Sequence, residues 1–186
     1  MKNKQLVLGS IALVVFASLS RLVSHPMNFT PITALILFSV FAFEGKWKVI
    51  VPVVAILLSD VALEVTSGIG FHSGTWLVYS GYALIAIIGY LLIKNASALR
   101  LLSCTILGSV SFFLLTNFAL FYPVAAAGKE NYGYTHDLTG ISASYTAGIP
   151  FFRNMLMGDL IYTAVLFGAY FLVKRFFFKP HWLSKN

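Results

Sequence analysis

The chain has 186 residues, 59% of them hydrophobic and only 10% charged, with a mean hydropathy of +0.85; soluble domains carry about 25% charged residues. That composition excludes an ordinary soluble domain and marks an integral membrane protein. One cysteine, Cys104, excludes a disulfide framework or a cysteine zinc cage, and the net charge of +7 reads as the basic cytoplasmic face of a membrane protein, not as a nucleic-acid footprint.

A membrane span needs about 20 mostly apolar residues. In chain order that rule predicts six: residues 5–23, 29–44, 48–66, 75–93, 101–123 and 149–173. The second is the shortest, and Pro31 suits its first turn, where a missing N–H costs nothing. The connections are short except 124–148, a polar, glycine-rich stretch expected to be an outer loop able to close over a site. The expected fold is therefore all-α: one transmembrane domain over 1–186, a six-helix bundle. Ten of the thirteen Lys and Arg residues, from Lys2 and Lys4 through Lys46, Lys48, Lys94 and Arg100 to Lys174, Arg175, Lys179 and Lys185, then share one face. This puts both termini in the cytoplasm and the protein in the inner membrane as a multi-pass chain. The rival reading of "MKNKQLVLGSIALVVFAS" is a cleaved signal peptide, which sorts the charges less well.

The remaining polar residues gather toward the other face. Arg21, His25 and Asn28 lie where spans one and two meet; Asp60 and Glu64 are four apart in the outer third of span three, hence on one helix face. His72 is in "SGIGFHSG", Asn117 in the outer half of span five, and His136 and Asp137 in the long loop. Arg153, Asn154 and Asp159 enter span six from outside. Asp159 lies roughly 13 Å deep, near the middle of a hydrocarbon core of about 30 Å. The inner halves are almost free of ionisable groups. Intramembrane charges face a bundle interior or water and mark a substrate path, so this asymmetry predicts a cavity opening outward.

The candidate substrate-binding residues are Arg21, His25, Asn28, Asp60, Glu64, His72, Trp76, Tyr79, Asn117, Tyr132, Arg153, Asn154 and Asp159. Some aromatics also suit an interfacial belt. Asp60 can equally pin helices by accepting from Arg21 or Arg153. Arg153 and Asp159, six positions apart, point about 120° away from each other, so each needs a partner elsewhere. Neither a P-loop nor a spaced GxGxxG is present. No Ser/His/Asp or HExxH arrangement is evident, and no cofactor or metal is expected.

"HPMNFTPITALILF", "LLSDVALEV", "SFFLLTNFALF" and "GIPFFRNMLMGDLIYTAVLFGAY" together resemble a family of small bacterial transport-type proteins of unassigned function. That family is similar to the S-components of energy-coupling-factor (ECF) vitamin transporters, including solitary cobalamin-type members. The resemblance implies an S-component-like bundle that binds a vitamin-like molecule, a corrinoid among the candidates, near its outer surface. A corrinoid's cobalt would fall to His72, His25 or His136, since Cys104 is expected near the inner side. The resemblance also implies an ECF-type energising module as partner. The AxxxA docking pattern is absent from "LVLGSIALVVFASLS", whose alanines are at 12 and 17, which favours solitary action. Two other functions compete. An enzyme acting on a lipid or isoprenoid would use Asp60 and Glu64 to hold Mg²⁺, and a scaffold would bind no ligand.

Overall fold

The computed structural model describes residues 4–23, 25–93, 97–124 and 133–177. They form six α-helices: α1 (Lys4–Ser20), α2 (Ile32–Ala42), α3 (Trp47–Ser67), α4 (Thr75–Leu92), α5 (Ala98–Thr116) and α6 (Leu138–Phe177), with one 3₁₀ turn at Ala119–Phe121. No strand occurs among the described residues; Val124 and Tyr134 make one isolated bridge. Helices α3, α4, α5 and α6 are long and apolar enough to cross a membrane. Many large apolar side chains point outward on them and on α1, from Leu8 and Phe16 to Val65 and Leu172. In water that would be a liability; such a coat of apolar side chains suits contact with lipid.

Helix α2 is the axis. It packs against all five other α-helices, and Ile32 to Val40 are buried without interruption. A helix buried all round needs no amphipathic stripe. Its 11 residues correct the expectation of a span over 29–44. Non-helical backbone is tolerated at membrane depth where protein covers it, so this helix can be short. Below its midpoint, Phe38 meets Phe167 edge-on at 5.4 Å and Tyr170 at 5.7 Å, locking α2 to α6.

Two other boundaries differ from expectation. Helix α5 stops at Thr116, not at 123, because Asn117 turns its amide back onto the Phe113 carbonyl at 3.0 Å and the chain then extends. Helix α6 begins at Leu138, so residues 138–148 of the expected loop are helical. Asp137 caps that start: its Oδ1 accepts the Gly140 N–H at 2.8 Å and the Thr135 hydroxyl at 2.7 Å. The resulting 40-residue helix is about 60 Å long, twice a hydrocarbon core of about 30 Å.

Candidate functional site

A cavity of about 380 Å³ opens at the end of the bundle where α1 and α3 finish and α2 and α4 begin. The basic side chains Lys46, Lys48, Arg100, Lys174 and Arg175 belong to the helix ends at the opposite pole. The cavity's polar wall is built by Arg21, just beyond α1, and by Asp60 on α3. Arg21 Nη2 donates to Asp60 Oδ1 at 2.6 Å, with both side chains buried. Arg21 Nη1 donates to the Ser59 hydroxyl and, at 3.5 Å, to the Ile56 carbonyl. Tyr79, on α4, donates to the second Asp60 oxygen at 2.6 Å. Every Asp60 oxygen is therefore bonded, and the pair carries no net charge. Arg21 Nε is buried without a partner.

The far wall is different. Asp159, on α6, is only 1% exposed. Its Oδ2 accepts from the Ser109 hydroxyl at 2.6 Å, while Oδ1 makes no full hydrogen bond; the Thr33 hydroxyl of α2 is a polar neighbour. No ion pair reaches Asp159 among the described residues. Aromatic rings line the rest of the cavity. Tyr82 and Phe112 stack at 5.3 Å, and Phe113 meets Phe152 at 4.7 Å; all four line the cavity.

The loop after α3 folds over the mouth. Gly68 ends the helix in the left-handed conformation at φ 65°. Glu64 Oε2 then accepts the N–H groups of Gly70 and Phe71 at 2.9 and 3.0 Å. Gly70 lies so close to the Asp60 carbonyl that a Cβ there would collide with it. His72 Nδ1 accepts the Gly74 N–H at 3.1 Å, which fixes the imidazole at the rim.

Of the residues expected from sequence, Arg21, Asn28, Asp60, His72, Tyr79, Asn117 and Asp159 line this one cavity. The others lie elsewhere. Glu64 holds the loop from outside. Trp76 is exposed and packs edge-on to Phe121 at 6.0 Å. His25 borders a separate apolar surface groove with Phe29 and Tyr162. Asn154 donates to the Met27 carbonyl at 3.1 Å, tying α6 to the α1–α2 connection. Arg153 is exposed and makes no pair with Asp60, whose oxygens are taken by Arg21 and Tyr79. Tyr132 lies outside the described residues. His136 bonds the Tyr122 carbonyl at 2.9 Å, and Cys104 is buried in the core.

Sequence reasoning missed Thr33, Ser109, Phe112 and Phe152. It placed Tyr82 on the outer side with Tyr79, three residues away and so on the same helix face, but not among the binding residues. The hydroxyls of Thr33 and Ser109 are hidden inside apolar runs and gave none. Among the described residues no group of three His, Cys, Asp or Glu is placed to hold a metal ion.

No curated protein and no solved structure matches the chain. A family model does match, over residues 1–182, and the chain therefore belongs to the DUF6580 family, a family of unknown function.

Proposed function

We propose that the protein is a multi-pass membrane transporter, or the substrate-binding component of one, that takes a small vitamin-like molecule into this cavity from the non-cytoplasmic side. The observation that carries the reading is a buried, polar-walled cavity at one pole of an apolar bundle, with Asp159 left partly unbonded inside it. A bundle held together only by packing has no use for a buried open acceptor. The orientation is supported by the basic residues at the opposite pole, which the positive-inside bias assigns to the cytoplasm. The resemblance to vitamin-binding S-components points the same way.

The volume favours a compact ligand. Small-molecule sites span about 300–1,000 Å³, and a cavity of about 380 Å³ suits one or two rings better than a whole corrinoid. The enzyme reading is weaker, because Asp60 is saturated by Arg21 and Tyr79 and Glu64 Oε2 is held by two backbone N–H groups, so the two carboxylates are not jointly free for Mg²⁺. Thermal unfolding of the purified protein against a panel of vitamins and their precursors tests the proposal. At least one compound should raise the midpoint in a saturable way, since a ligand at 100 times its Kd adds about 2.7 kcal/mol. A flat panel would favour a scaffold.

A further inference from the structure

The cavity's charges are unevenly satisfied, and the imbalance names a ligand class. Arg21 and Asp60 cancel each other at 2.6 Å. The other polar groups on the wall are Tyr79, Tyr82, His72 and Tyr122, together with neutral amides and hydroxyls. Tyr79 already donates to Asp60, and the His72 ring nitrogen that faces the loop acts as an acceptor. Among the described residues on this wall, Asp159 is the carboxylate with no cation beside it; it is 1% exposed, with the Thr33 hydroxyl as a neighbour, and its Oδ1 is left without a full hydrogen bond. Aromatic rings line the same space, and aromatic faces attract cations within about 6 Å. Tyr82 stacks with Phe112 there, and Phe113 with Phe152 lines it too.

We infer that the cavity binds a small organic cation, an ammonium or protonated amine attached to a ring, whose N–H donates to Asp159 Oδ1 while the ring lies among Tyr82, Phe112 and Phe152. This rests on the proposal that the cavity is a substrate site and gives that substrate its charge. The unpartnered Arg21 Nε asks for no more than a neutral acceptor on the ligand, such as a carbonyl or ring nitrogen, because Asp60 already matches its charge. An anionic ligand would place its charge against Asp159 without relief.

The ligand is a soluble amine; an aminolipid headgroup carries the same chemistry, so both enter the test. Full-length protein in lipid-free detergent at neutral pH is titrated with benzylamine, benzyl alcohol or benzoate, three probes of one size and different charge. Phosphatidylethanolamine is added in a separate arm, and thermal midpoints are read. Benzylamine should stabilise and the other two should not, and Asp159→Asn should weaken the benzylamine response at least tenfold. Equal or better stabilisation by benzoate or benzyl alcohol would overturn the cation assignment and leave the substrate site standing. Stabilisation by the lipid alone would overturn the soluble ligand. No response to these probes or to the vitamin panel would overturn the site itself. Should Asp159→Asn not fold, Phe112→Leu, which removes a ring face and keeps the carboxylate, should weaken benzylamine more than benzyl alcohol. Equal weakening would count against the cation.

Discussion

Asp60 and Asp159 face one cavity from α3 and α6, and among the described residues only Asp60 has a cation beside it, Arg21 at 2.6 Å. The two acids therefore have opposite roles. Asp60 closes a structural pair, and Asp159 offers an acceptor.

The structural role of Asp60 predicts its mutational cost. Removing one member of a buried pair strands the other and costs about 3–5 kcal/mol. Asp60→Asn and Arg21→Met should each lower the unfolding midpoint in detergent. The double variant should recover a large part of the loss. A double variant as unstable as the sum of the two would show that the pair is not the cause.

The loop over the cavity mouth depends on Glu64. Glu64→Ala removes the acceptor for the Gly70 and Phe71 N–H groups, so hydrogen exchange at 69–73 should quicken while α3 and α4 stay protected. Gly70→Ala should have the larger effect, because its Cβ has no room against the Asp60 carbonyl. Unchanged exchange in both variants would mean that the loop is held by something else.

The start of α6 carries its own pH signature. The Gly140 N–H and then the Thr135 hydroxyl hold the Asp137 carboxyl below its usual value. Such a group stabilises the folded form above its unfolded pKa of about 3.9, and that contribution is lost as pH falls through the folded value. Residues 138–142 should fray below pH 4 in the native protein. Asp137→Ala should fray there at neutral pH too, with little further change on acidification. A pH-independent α6 start in the native protein would contradict the cap.

Orientation is tested by single cysteines in a Cys104→Ala background. A cysteine at 72, on the cavity rim, should react with an impermeant reagent in intact cells, and one at 46 only after permeabilisation. Labelling at 46 in intact cells would invert the topology.

The apolar runs made the helices legible, because length and hydropathy are local properties. Their ends were harder to read. Gly140 and Gly148 look like loop punctuation, yet both lie within α6, and Gly148 gives room for Asn117. The choice of Arg21 over Arg153 for Asp60 spans 39 positions and is settled by helix rotation, which composition does not encode. The polar pole itself was legible, since Arg21, Asp60, Asn117 and Asp159 all lie toward one face of the six-span reading and all line the cavity. The aromatic wall was not, because Phe112 and Phe152 are as much at home in lipid as around a ligand.

The most direct test of the account is the unfolding midpoint of ligand-free Asp159→Asn, measured beside Asp60→Asn in the same detergent. Asparagine keeps an acceptor for the Ser109 hydroxyl and removes a carboxylate that no cation among the described residues meets. A residue kept for binding costs stability when the site is empty, so Asp159→Asn should unfold at or above the native midpoint while Asp60→Asn falls well below it. An Asp159→Asn midpoint as low as that of Asp60→Asn would make Asp159 a structural anchor and contradict the ligand-binding account.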